Sequence, residues 1–246
     1  MLDALRKPPF EPLSDIPLEL LTLKTVFLLA LASGSRRSEI HALVTGPGNI
    51  IWHPHQVSIR THPDFIAKNQ VLGSVSRPVV IKALEDFVGK DRRERLLCPV
   101  RALKWYVNRS EPNRASTSRL FVHWSPSKPK PSPMDISKWI VRTVKLAYEK
   151  AAQDDQSLKL AKVTAHEVRA MAASWVLFNG ASPADVLQAG TWRSKNSFIS
   201  FYLRDMAQES VSLNSMGPIS SGQSIVAPPR LETPSARDLS HSGFTQ

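Results

Sequence analysis

The stretch TAHEVRAMAASWVLFNGASPADVLQAGTWRSKNSFISFYLRD, residues 164–205, decides how the rest of the chain is read. His166 and Arg169 stand three residues apart, so on a helix they share one face. Ala165, Ala170, Ala172 and Ala173 keep that helix slim enough to pack closely. Gly180 suits its end, and Ser182-Pro183 supplies an N-cap with proline at the first position of a following helix, Ala184 to Ala189, that stops at Gly190. This turn brings Trp192 back towards the space that His166 and Arg169 face. Phe198, Phe201 and Tyr202 then fall at i, i+3 and i+4, an aromatic helix edge flanked by Arg193, Lys195 and Arg204. Taken singly, Trp192 and Tyr202 read as packing aromatics. Taken together, with the tyrosine 33 residues beyond the arginine, the order fits a phosphoryl-transfer site. A basic aromatic stripe is attractive beside a phosphate and costly in a core.

Far upstream, SGSRRSEI at 33–40 supplies Arg36 with Glu39 three residues on. Gly34 permits a tight turn, Ser35 can cap, and a carboxylate beside Arg36 can fix its guanidinium for bidentate binding of phosphate oxygens. The plain alternative is a surface salt bridge.

Composition agrees with an anionic partner. Among 246 residues, 32 Lys and Arg face 21 Asp and Glu, for a formal charge of +11 and a pI near 10.0. Nucleic acid is the natural polyanion for such a surface. Cys98 is the single cysteine, so no internal disulfide forms and a reducing, intracellular setting fits. The apolar run Val26 to Ala32 is too short for a membrane span, and no metal or cofactor motif is evident.

The domain reading is a lead-in over 1–15, an ordered body over 16–206 and a Ser/Pro-rich, disordered tail over 207–246. The fold class is α+β, mainly α-helical, with a small antiparallel sheet beside a helical core. An apolar helix starts near Ile16 or Pro17, with Ser14 and Asp15 as candidate N-caps. A second short helix starts near Arg37. Ile50, Val57, Ile59, Phe65, Ile66 and Val79 to Ile81 read as the sheet. Pro99 opens another helix, Leu120 to Trp124 reads as a strand, and Ile136, Ile140, Val144 and Ala147 recur at helical spacing after the loop SPSKPKPSP.

These motifs together resemble the tyrosine recombinases, or phage integrases. Gly34-Ser35-Arg36-Arg37-Ser38-Glu39-Ile40 is similar to the family's first arginine motif, and His166-Glu167-Val168-Arg169 to its His-x-x-Arg box. Ala189-Gly190-Thr191-Trp192 resembles its Leu-Gly-His segment, whose histidine is tryptophan in some members; here Trp192 follows the glycine by two positions. Tyr202 matches the nucleophile. The family lysine lies on a β-hairpin between the first arginine and the His box, which points to Lys68, with Lys82 also available. The aromatic run before Tyr202 looks most like recombinases of eukaryotic DIRS-like elements and cryptons.

The resemblance implies the tyrosine-recombinase catalytic-domain fold and DNA strand cleavage and rejoining through a 3′-phosphotyrosyl link, with no metal or cofactor. The implied catalytic set is Arg36, Lys68, His166, Arg169, Trp192 and Tyr202, supported by Glu39. Arg37, Arg193, Lys195 and Arg204 are the implied DNA contacts. Double-stranded DNA is the implied partner, a homotetramer on two duplexes the implied assembly, and the nucleus the location if the source is eukaryotic. About 35 residues precede Arg36, whereas family members usually carry a separate N-terminal core-binding domain. Two alternatives stand beside this reading: a recombinase-derived DNA-binding protein without chemistry, and an interaction protein in which these residues merely pack.

Overall fold

The computed structural model describes residues 1–67, 78–84, 91–114, 117–125, 127–128, 130–154 and 163–178. In chain order, a 3-10 helix Leu2–Arg6 is followed by α1 (Leu18–Ser33), α2 (Arg37–Ala42), β1 (Ile50–Trp52), β2 (Gln56–Ile59) and β3 (Val79–Lys82). Then come α3 (Arg92–Arg95), α4 (Pro99–Arg109), a 3-10 helix Glu111–Arg114, α5 (Pro133–Asp154) and α6 (Ala165–Phe178).

The apolar run becomes α1, in which every residue from Leu21 to Leu31 is buried. A helix apolar on all sides has to be covered on all sides. Here α4, α5 and α6 pack around it, and β3 joins them. Gly34 ends α1 at φ +58°, a left-handed conformation open to glycine without strain, and its N–H donates to the Ala30 carbonyl at 3.0 Å.

Ser14 and Asp15 do not cap α1. Pro17 is the N-cap and makes no side-chain capping bond. The preceding residues are spent on a turn, with the N–H groups of Asp15 and Ile16 both donating to the Pro12 carbonyl at 3.1 and 3.2 Å. The first fifteen residues also carry core: Leu5, Phe10 and Leu13 are fully enclosed.

The sheet is antiparallel in the order β1-β2-β3, with Val57 opposite Trp52 on one side and Ile81 on the other. Val57, Ile59 and Ile81 are buried, while Ile51 and Val80 lie exposed, as strand alternation requires. Phe65 is not in the sheet, its N–H instead closing a turn on the His62 carbonyl at 2.9 Å, and Ile66 is likewise outside any strand. Leu120 to Trp124 is not a strand either. The bridge of Val44 with Arg119 lies just before it, Leu120 N–H donates to the Leu43 carbonyl at 2.8 Å, and the segment is held by burial of Leu120, Phe121 and Val122. Among the described residues no helix is long and apolar enough to cross a membrane.

Candidate functional site

Arg36 is the N-cap of α2, two residues beyond the glycine that ends α1. Glu39, in the first turn of α2, reaches back: its Oε2 accepts the Arg36 backbone N–H at 2.6 Å, and its Oε1 accepts Arg36 Nη1 at 3.1 Å. One carboxylate thus caps the helix and orients the guanidinium of the residue that starts it. The Glu39 side chain is 9% exposed and that of Arg36 is 23% exposed, so the arginine sits at the mouth of the cluster.

Arg169 completes it from the other end of the sequence. On α6, Val168 and Ala172 are buried and α6 packs on α1 and α5. That packing also buries Arg169, whose Nη1 lies 3.9 Å from Glu39 Oε2, an ion pair too long for a hydrogen bond. Arg36 and Arg169 therefore share a single carboxylate. Two guanidiniums brought together on one carboxylate place several N–H donors side by side, an arrangement suited to the oxygens of an anion.

His166 sits in the first turn of α6, one turn before Arg169. It is exposed where Arg169 is buried, so the two differ in depth although they share a helix face. The helix start is fixed by a reciprocal pair: the Glu167 side chain accepts the Thr164 N–H, and Glu167 N–H donates to Thr164 Oγ1 at 3.3 Å. Thr-x-x-Glu before an apolar run is a capping-box signature, which the sequence carries at Thr164 to Glu167.

α2 is also tied to the proline-rich loop. His41 Nε2 lies 2.8 Å from the Pro131 carbonyl oxygen, which can only accept, so Nε2 carries the proton. Burial lowers the His41 pKa, the Pro131 bond works against this, Arg119 lowers it further and Asp135 opposes; the net is below the ordinary value. Arg37 is exposed, with Nη1 3.9 Å from Met134 Sδ in the first turn of α5. Lys82 is the last residue of β3, exposed and opposite Gln56. Lys68, Trp192, Arg193, Lys195, Tyr202 and Arg204 lie outside the described residues, as do the helices expected after Phe178 and the 207–246 tail.

No protein-family model matches the sequence, and none of the curated proteins matches it either. Its fold, however, is similar to solved structures of XerH, a site-specific recombinase. The post-cleavage complex of XerH with palindromic difH substrate superposes with a TM-score of 0.54 at 15% identity, covering 84% of this chain and 48% of that one. The pre-cleavage complex of XerH with difH substrate gives 0.54 at 16% identity, covering 85% and 49%. The chain thus spans about half the length of the XerH chains it matches. With its three-stranded antiparallel sheet beside a helical core, it has the α+β, mainly helical fold of the tyrosine-recombinase catalytic domain.

Proposed function

We propose that the chain cleaves and rejoins DNA through a 3′-phosphotyrosyl intermediate, with Tyr202 as nucleophile. The observation that carries this reading is the meeting of Arg36 and Arg169 on Glu39, with His166 one turn away. A phosphodiester needs its two non-bridging oxygens held and their growing charge offset as phosphorus becomes five-coordinate. Two guanidiniums provide that, and losing one such donor typically costs about 100- to 1,000-fold.

In the proposed step the Tyr202 oxygen bonds to phosphorus and the bond from phosphorus to the 5′ oxygen breaks. A free tyrosine has a pKa of about 10, so its proton needs an acceptor, for which His166 is the candidate. Lys68, or Lys82 in its place, protonates the departing 5′ oxygen, and Trp192 packs or donates its indole N–H. A 5′-hydroxyl from a second strand then attacks the phosphotyrosine and releases Tyr202, so no external energy source enters. Arg37, Arg193, Lys195 and Arg204 contact the DNA backbone. On this reading the partner is double-stranded DNA, the assembly a homotetramer on two duplexes, and the source a mobile element of DIRS-like or crypton type acting in the nucleus.

The test is a nicked duplex whose cleavage product diffuses away, read as a covalent protein–DNA band under denaturing conditions. Wild type gives the band and Tyr202→Phe does not. An equal band from Tyr202→Phe removes Tyr202 as nucleophile. Duplex binding by wild type with no band at all replaces this reading with a DNA-binding protein that has lost its chemistry.

A further inference from the structure

The loop SPSKPKPSP, residues 125–133, carries two lysines among four prolines. Lys128 and Lys130 are exposed, whereas Pro131 is buried and its carbonyl is the one bonded to His41 of α2. The next residue anchors the loop to α5: Ser132 N–H and Oγ donate to Asp135 Oδ2 at 2.9 and 2.7 Å, and Asp135 N–H donates back to Ser132 Oγ at 3.3 Å. At the other side the Lys128 ammonium stands 5.4 Å from the centre of the Trp124 ring, which packs against Trp139 at 5.4 Å.

The lysines are thus borne on a proline-rich loop whose exit is anchored at Pro131 and Ser132 and whose Lys128 N–H closes a turn on the Ser125 carbonyl at 3.1 Å, so that it has little freedom left to lose on binding. Asp135, the carboxylate at the loop's exit, is engaged by Ser132 and lies 3.8 Å from Lys138 Nζ. An ammonium over a ring face still presents N–H donors on its outer side. His41 follows Arg36 by five residues along α2, about 8 Å of helix rise, so the loop is fixed near the arginine cluster.

We infer that Lys128 and Lys130 form a preset clamp for duplex DNA, contacting backbone phosphates beside the one held by Arg36; this rests on the function proposed above. Lysines at such a place act as point charges that position the duplex without reading its sequence. The experiment measures affinity of this chain for a labelled duplex over about 50 to 200 mM salt, where each phosphate contact adds about 0.9 to the slope of log K against log salt. The double variant Lys128→Gln/Lys130→Gln is expected to be shallower by about 1.8, Lys130→Gln alone by about 0.9, and Lys128→Arg/Lys130→Arg to keep the wild-type slope. An unchanged slope in Lys128→Gln/Lys130→Gln, with the covalent band intact, overturns the clamp and leaves the proposed function standing. A slope change confined to Lys128→Gln and accompanied by a lower melting temperature assigns that lysine to Trp124 and also overturns it. Failure of wild type to bind duplex overturns both.

Discussion

Glu11 and Glu39 each serve two cations, and they do it in opposite ways. Glu11 Oε1 accepts from Lys24 Nζ at 2.5 Å and Arg101 Nη1 at 2.7 Å, and Oε2 accepts from Arg101 Nη2 at 2.9 Å and Leu13 N–H at 3.2 Å. Lys24, fully enclosed, adds the Leu5 carbonyl at 2.7 Å. Every lone pair of Glu11 is used, and the cluster serves to hold the N-terminal segment on α1 and α4. Glu39 instead has its Oε2 3.9 Å from Arg169 Nη1, at ion-pair range, beside a partly exposed Arg36. The same charge count yields a sealed joint in one place and, in the other, a place where an additional anion is welcome.

The largest effect expected from breaking the comparison is on the sealed side. Glu11→Gln leaves the buried Lys24 without its carboxylate, and should lower unfolding free energy by about 3–5 kcal/mol in a denaturant titration. A loss under about 1 kcal/mol would show that Lys24 is not held by that charge. On the open side, Arg36→Gln should cut the covalent DNA band about 100- to 1,000-fold while shifting the melting temperature little. The reverse pattern, a large melting shift with the band preserved, would make Arg36 structural.

The sealed cluster has a pH response of its own. Burial pushes the Lys24 amine down to about 8, against the opposing pull of Glu11. Because the unfolded amine keeps its proton up to about 10.5, the unfolded state binds more protons between about pH 8 and 10.5, and the Lys24 contribution to stability becomes more favourable as pH rises through that window. The gain has an upper bound of about 3 kcal/mol and should vanish from the stability profile of Lys24→Met. For Glu11, burial works to raise the carboxyl, but the bonds from Arg101 and Lys24 outweigh it and its pKa falls below the ordinary value; its contribution is lost as acid protonates it. The smallest effect is at the head of α6: Thr164→Ala should cost about 1 kcal/mol and Thr164→Ser should recover it, with equal stability for all three speaking against the cap.

α1 was legible because its apolar run admits no polar face, and α4 because Pro99 marks a first helical turn. Arg36 and Glu39 were legible as a pair because three residues on a helix bring side chains together. Their link to Arg169 has no local signature, since Arg169 comes 133 positions after Arg36 and the packing of α6 on α1 and α5 closes the gap. The burial of Leu5, Phe10 and Leu13 escaped notice because prolines hide any regular spacing in that segment. The pairing of Lys24 has no local sign either, since its partner, Glu11, lies 13 residues earlier in that same segment. The false strand at 120–124 shows that a short run of consecutive apolar residues can be buried by side-chain packing with almost no ladder beneath it.

The glycine that ends α1 sets a rule about length. Because α1 is enclosed on every side and Gly34 reverses the chain two residues before Arg36, the arginine's bearing is inherited from the helix behind it. Adding or deleting one residue in α1 would rotate everything after it by about 100° and shift it by about 1.5 Å. Apolar exchanges of similar volume can be absorbed there, but insertions and deletions would swing Arg36 off Glu39, so any redesign of this scaffold has to place its changes of chain length beyond α1.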